Sequence, residues 1–166
     1  GNIIVCKGTG QVGINIGWTT GAHIMGNIVY NSAAGTNSGI KFDNMSNSTA
    51  FNNLVVGFSG TGGEGITVGN NVLVGHNAFY NCTANYTVAD VTDIDLTAND
   101  VTLGANPFND AANGDFSLTA AAKAALRSAG WPAAYLGAHA NTDPHVTIGA
   151  LQYLSLIHIS EPTRPY

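Results

Sequence analysis

Short runs of alternating apolar and polar residues, separated by Gly, Asn and Ser, fill the first hundred or so positions of the chain. Two kinds of run recur in constant register. An Asn followed by apolar residues recurs with a nearly constant spacing, at Asn2, Asn27, Asn53 and Asn77. A Gly-Ile pair recurs with the same period, at Gly13, Gly39 and Gly65. Two landmarks with one period indicate a structural repeat.

Each repeat shows the period-two alternation of strands and lacks a helical stretch of about ten residues. Three short strands cannot bury their own apolar face, but units stacked about 4.8 Å apart form a continuous core. The pattern therefore predicts an all-β fold, a single-stranded parallel β-helix of about five coils of 24–26 residues. The inward columns are expected to be Ile14, Ile40 and Ile66; Ile16, Phe42 and Val68; and Ile4, Val29, Val55 and Phe79.

The repeat weakens after residue 90, although units at 93–96, 100–103 and 115–118 continue it. From Ala105 the composition shifts to Ala, and residues 117–129 read as one short helix with Thr119 as its N-cap. We expect this helix to cap the open end of the solenoid. The organisation predicted is coils over 1–104 and a C-terminal coil and cap over 105–153.

The recurring Asn residues have a structural explanation. Asn tolerates left-handed backbone angles at a corner, and its amide bonds the matching amide one coil away. We therefore predict a structural ladder formed by Asn2, Asn27, Asn53 and Asn77, with a second ladder at Asn31 and Asn81. The alternative for these side chains is hydrogen bonding to a sugar.

The run Gly-Asn-Ile-Val-Tyr-Asn at 26–31, followed by Gly-Ile-Lys-Phe at 39–42, resembles the right-handed parallel β-helix repeat of the pectate-lyase-like superfamily. The resemblance covers residues 1–104 and implies a right-handed coil. Segments at 106–108, 113–118 and 147–152 resemble the C-terminal ends of secreted bacterial β-helix proteins, which implies an extracellular or cell-surface location. Enzymes, adhesins and phage tail spikes share this fold, so the reaction stays open.

Charge is scarce, with only 9% of residues charged and a net charge of -5. This composition excludes a basic nucleic-acid binder, and no apolar run reaches the length of a membrane span. In residues 1–89 the charged residues are Lys7, Lys41, Asp43 and Glu64. Cys6 and Cys82 fall on coils too far apart for a disulfide, so two free thiols are expected.

Alternation along the Gly-Ile strand places Asn15, Lys41, Thr67 and Asp95 on one outward face. The resemblance implies that a lyase would use a Lys or Arg base with carboxylate-bound Ca²⁺, and that a hydrolase would use clustered carboxylates. Lys41 and Asp43 are the candidate catalytic residues. Asp93 and Asp95 are the candidate ligands for Ca²⁺. Ca²⁺ is the only cofactor that the sequence suggests. The alternative is that these residues form an ordinary solvated surface with no catalytic or metal-binding role.

Trp18, Glu64 and two histidines also have simpler structural explanations. Trp18 follows a strand end, where its indole could stack on a sugar ring beside Asn15 and Thr67 or pack at a corner. Glu64 is expected in a solvated loop, and His23 and His76 at the surface or at corners.

Neither end of the chain looks natural. The chain begins inside a repeat, so we expect its natural N-terminus to lie further upstream. Residues 154–166 resemble a translated sequencing adapter and are left out of the fold assignment. The alternative is a natural tail with a short strand and a Pro-rich end.

These observations favour an extracellular β-helix protein that contacts polysaccharide, as part of a pectate-lyase-like lyase or hydrolase, with this segment alone expected to be inactive. The alternative is a non-catalytic structural or adhesive solenoid, such as a surface protein or a phage tail spike. Polysaccharide is the expected partner, with no nucleic acid and no membrane span.

Overall fold

The alternating segments of each repeat form three short strands, separated by bends at Gly, Asn and Ser. A computed structural model describes residues 1–17, 20–43, 47–69, 71–88, 99–127 and 129–130. In chain order the solenoid strands are β1 (Ile3–Cys6), β2 (Ile14–Gly17), β3 (His23–Met25), β4 (Ile28–Asn31), β5 (Ser38–Asp43), β6 (Ser48–Phe51), β7 (Leu54–Val56), β8 (Glu64–Val68), β9 (Val72–Gly75), β10 (Ala78–Tyr80), β11 (Ala84–Val88) and β12 (Val101–Thr102).

Equivalent strands of successive turns pair in parallel to form three sheets. Sheet A contains β1, β4, β7, β10 and β12; sheet B contains β2, β5, β8 and β11; sheet C contains β3, β6 and β9. The fold is therefore a parallel β-solenoid, as the repeat predicts. It has about three turns rather than the expected five, because only three turns contribute a described strand to every sheet.

The inward columns expected from the repeat are present. Ile14 pairs with Ile40 and Ile40 with Ile66 in sheet B. In sheet A the column runs from Ile4 through Val29 and Val55 to Phe79. These side chains form one core inside the solenoid, so like residues stack on like along its axis.

The Gly of each Gly-Ile pair is required by close packing between turns. A Cβ on Gly39 would overlap the Cγ1 of Val55 and lie 2.8 Å from the carbonyl oxygen of Gly65 in the next turn. Gly13 and Gly65 meet equivalent neighbours. The recurrence of Gly at this position therefore reflects the absence of space for a side chain.

The repeated Asn side chains form a hydrogen-bonded column at the corner that leads into sheet A. Asn2 donates to Asn27 Oδ1 from its backbone N at 3.0 Å and from Nδ2 at 3.2 Å. Asn27 donates to Asn53 and Asn53 to Asn77 in the same way, at 3.0–3.1 Å. Asn77 N–H then donates to Asp100 Oδ1 at 2.7 Å. Asp100 therefore occupies the position of a fifth ladder residue.

The left-handed corner conformation belongs to the residue before each ladder Asn. Positive φ angles occur at Gly26 (67°), Asn52 (58°) and His76 (51°), and not at Asn27, Asn53 or Asn77. The ladder Asn therefore contributes its amide, while the preceding residue makes the bend.

The expected second ladder is absent between Asn31 and Asn81. Asn31 instead donates to the carbonyl oxygen of Gly8 at 3.1 Å and accepts from Ala33 N–H. Asn81 is exposed with a φ of 53°. The two residues are two turns apart, and Gly57 occupies the turn between them, so no amide bridges the gap.

The C-terminal part leaves the solenoid pattern. An antiparallel hairpin joins β13 (Phe108–Asp110) to β14 (Asp115–Leu118) through a 3-10 turn at Ala111–Asn113. The expectation that 115–118 continues the coils is therefore wrong, because the short turn folds the segment back on its own neighbour. The helix α1 (Ala120–Leu126) follows, and Thr119 caps it by accepting from Ala122 N–H at 3.2 Å.

The hairpin and α1 pack on the outer side of sheet A. Phe108, Leu118 and Leu126 are buried in a second cluster with Ile28 and Leu54, which point away from the solenoid core. Tyr30 meets Phe108 and Phe116 edge to face, with centroids 5.9 and 5.5 Å apart. The apolar face of the helix thus covers the side of the solenoid, where the sequence suggested a cap over its end.

Candidate functional site

One row of polar side chains follows the outer face of sheet B. Asn15 pairs in register with Lys41, and Lys41 with Thr67. Thr87 continues the row beside Thr67. Because strands of neighbouring turns lie about 4.8 Å apart, the row presents one polar group at each step along the solenoid. We call Asn15, Lys41, Thr67 and Thr87, with the adjacent Asp43, the polar row.

Lys41 and Asp43 are joined across this face. Lys41 Nζ lies 3.0 Å from Asp43 Oδ1, and the two side chains are 34% and 36% exposed. Alternate residues of a strand share one face, which explains why the pair forms within β5. The pair therefore places a hydrogen-bond donor and an acceptor side by side on this face, and its catalytic role stays a prediction.

Glu64 belongs to the same face, although the sequence suggested a solvated loop. It begins β8 and is half-buried. Its carboxylate accepts from the Thr67 hydroxyl, which also bonds the Ser38 hydroxyl. Ser38 lies 3.4 Å from the same carboxylate oxygen. The signal was present in the repeat, because Ser38 and Glu64 both precede the Gly of a Gly-Ile pair and are register partners.

The structure brings some of the candidate residues together and leaves others outside the part it describes. Asn15, Lys41, Asp43 and Thr67 share the sheet B face. Trp18, Asp93 and Asp95 lie outside the described residues, so sugar stacking and Ca²⁺ binding by these side chains stay predictions. Among the described residues, no group of three or more His, Cys, Asp or Glu side chains could hold a metal ion.

His23 and His76, the histidines within the described residues, make local structural contacts. His23 is exposed, with Nδ1 2.9 Å from the Thr49 hydroxyl in the next turn. His76 is buried at a corner, and its Nδ1 lies 2.8 Å from the carbonyl oxygen of Ala129. This contact holds the segment that follows α1 against the corner at the end of sheet C.

Both cysteines are free thiols, as their separation predicts. Cys6 is buried, and burial raises its pKa. Burial also raises the pKa of the Cys82 thiol to about 11, against the opposing effect of backbone contacts at Phe58 and Tyr80. At neutral pH these groups are thiols rather than thiolates, so neither has the character of a nucleophile.

The described part of the sheet B face can therefore form hydrogen bonds along its length. Amide, ammonium and hydroxyl groups follow one another along this face. The two carboxylates, at Asp43 and Glu64, already have partners. Comparison of the chain with family models, with curated proteins and with solved structures gives no match. No helix among the described residues is long and apolar enough to cross a membrane.

Proposed function

We propose that this chain is part of an extracellular β-solenoid protein that contacts polysaccharide through the polar row on sheet B. The observation that carries the proposal is the register of Asn15, Lys41 and Thr67, which places one polar group on each of three successive turns. A linear polymer repeats its hydroxyl groups along its length, so a linear row of donors and acceptors is the complementary surface.

The chemistry of the row fits hydroxyl-rich ligands. Lys41 donates, Asp43 and Glu64 accept, and the exposed Asn15 amide does both. The Ser38 and Thr67 hydroxyls hold the Glu64 carboxylate in place. A preorganised acceptor loses less side-chain entropy on binding than a mobile one. The pectate-lyase-like resemblance of the repeat supports the same class of ligand.

The ion pair between Lys41 and Asp43 supports contact with a ligand, because it presents a donor and an acceptor on a half-exposed face. The competing function is a purely structural or adhesive solenoid. The observation that favours it is the internal use of polar groups, since the buried amides of Asn27, Asn53 and Asn77 bond one another. Abundant Asn therefore needs no ligand to explain it.

The test is affinity gel electrophoresis of the full chain in gels that contain neutral or uronate-rich polysaccharides. We expect at least one polymer to retard the protein. Lys41→Ala should weaken this retardation about three- to tenfold, because it removes a charged donor. Lys123→Ala is the matched control, since it removes a lysine from the exposed side of α1.

Two outcomes contradict the proposal. If no polymer retards the protein, the structural or adhesive role replaces it. If Lys123→Ala weakens retardation as much as Lys41→Ala, the contact is non-specific charge attraction. Release of unsaturated or reducing ends from any polymer would show that the protein also cleaves.

A further inference from the structure

One position on the outer face of sheet B has no side chain. Gly17 pairs in register with Asp43, one turn further along the solenoid. Gly17 is exposed, and a Cβ built on it would meet no atom of the described residues within 4 Å. Its φ lies outside the left-handed region, so neither packing nor backbone conformation requires glycine here, in contrast to Gly39. The missing side chain leaves bare strand backbone directly beside Asp43.

The ion pair beside this bare backbone presents a donor and an acceptor to one ligand unit. Lys41 Nζ and Asp43 Oδ1 are 3.0 Å apart, a separation close to that of neighbouring hydroxyl oxygens on a pyranose ring. One sugar hydroxyl can therefore accept from Lys41 while the next one donates to Asp43. The ring itself can approach the strand closely at Gly17, because no side chain stands in its way.

The charges on the sheet B strands do not favour an acidic polymer. Among the described residues of these strands, Lys41 contributes one positive charge and Asp43 and Glu64 one negative charge each, so their net charge is -1. The ammonium group of Lys41 is already paired with Asp43. Glu64 is held by the hydroxyl of Thr67, the register partner of Lys41, so its charge lies in the turn next to the ion pair. The whole chain has a net charge of -5.

This arrangement distinguishes an uncharged sugar from a uronate. A uronate carboxylate would have to displace Asp43 from Lys41, and the Asp43 charge would then lose its partner. It would also approach the Glu64 carboxylate, and like charges in close contact repel each other even in water. An uncharged hydroxyl group can bond Lys41 and Asp43 without separating them, so it avoids both costs.

We propose that Lys41, Asp43 and the bare backbone at Gly17 form a subsite for one uncharged pyranose unit. The polar row accordingly binds neutral polysaccharide in preference to polymers that carry uronate groups. This inference rests on the proposed function of the row and names the substrate class within it.

The experiment measures retardation of the full chain by pairs of polymers that differ only in the charge at C6. Pullulan and galactomannan are each compared with the same polymer oxidised at C6 to the uronate, and polygalacturonate is compared with its carboxyl-reduced, neutral form. At low salt we expect the neutral member of a pair to retard the chain about three- to tenfold more strongly. The difference should shrink in about 1 M salt, where the Debye length falls to about 3 Å.

A substitution at Gly17 locates the subsite. Gly17→Val should weaken retardation by the neutral polymer at least about threefold, because the new side chain covers the bare backbone. Gly104→Val is the matched control, since Gly104 is exposed after β12, outside sheet B, and its Cβ would also meet no described atom within 4 Å. Both variants should keep the thermal unfolding midpoint of the unaltered chain.

A substitution at Glu64 tests the charge argument separately. Glu64→Gln keeps the size of the side chain and an acceptor for the Thr67 hydroxyl but removes the negative charge. It should therefore narrow the difference between the neutral and uronate forms at low salt. If Gly17→Val does not fold, this variant still decides the question, because an unchanged difference overturns the inference.

The remaining outcomes separate this inference from the proposed function. Retardation by the uronate forms that equals or exceeds that by the neutral forms overturns the inference and leaves polysaccharide binding in place. Unchanged retardation of Gly17→Val, or an equal loss in Gly104→Val, overturns the subsite. If no polymer in either form retards the chain, the proposed function itself fails.

Discussion

The outer faces of sheets A and B arise from the same repeat and have opposite environments. On sheet A, the outward Ile28, Leu54 and Ala78 are 0% exposed, because the hairpin and α1 cover them. On sheet B, the outward Lys41 and Thr67 remain in contact with solvent. One solenoid therefore has a side that holds its C-terminal part and a side that is free for a ligand.

The strand sequences account for this difference. Sheet A strands are continuous apolar runs, such as Leu54–Val56, as expected for strands that are buried on both faces. Sheet B strands alternate, as in Ser38–Asp43, so only their inward residues are apolar. The number of apolar residues per strand thus indicates which side of a solenoid is covered.

The largest expected effect is at the covered face. Leu54→Ala should lower the free energy of unfolding by about 2–5 kcal/mol, because it leaves a cavity between sheet A and the C-terminal cluster. The measurement is urea unfolding followed by circular dichroism. Leu73→Ala, the same change at a half-buried position of sheet C, should cost clearly less. Equal costs would mean that the outer cluster adds no stability of its own.

The second effect compares the buried middle of the Asn ladder with its exposed end. Asn53→Ala should cost about 2–3 kcal/mol, because it leaves the Asn77 amide oxygen and the Ile24 carbonyl without this donor. Asn2→Ala, at the exposed end of the ladder, should cost under about 1 kcal/mol. The same unfolding experiment measures both. Similar values would show that ladder bonds stabilise the chain independently of burial.

The smallest effect is expected on sheet B. Lys41→Ala should change the free energy of unfolding by about 0.5 kcal/mol or less, because a solvent-exposed ion pair contributes little. Asp43→Ala should behave alike, and added salt should reduce both costs further, because salt screens exposed charges. A cost well above about 1 kcal/mol, the upper end of what exposed ion pairs contribute, would place this face among the structural elements. Its assignment as a ligand surface would then be weakened.

Most of the solenoid was predictable from residue spacing. The columns of Ile14, Ile40 and Ile66, the Asn ladder positions and the N-cap at Thr119 each follow from a pattern within the chain. The role of Glu64 was not predicted, because one hydroxyl partner, Ser38, lies on another turn. The other, Thr67, lies in the same strand, which begins at Glu64, one residue earlier than expected. The left-handed corners were misplaced by one residue, since an Asn side chain that bonds its neighbour and an Asn that bends the backbone look alike in sequence.

The sequence by itself determined the repeat, the parallel strands and the residues that point inward, because these depend on a period that any stack of equal units must keep. Only the tertiary structure decided where the C-terminal hairpin and α1 lie and how many turns are complete. The apolar residues of the hairpin and α1 need a surface to pack against. From sequence alone, the open end of the solenoid and the apolar outer face of sheet A are both candidates for that surface. The segment packs against the apolar outward residues of sheet A, which buries both, and so leaves the sheet B row exposed.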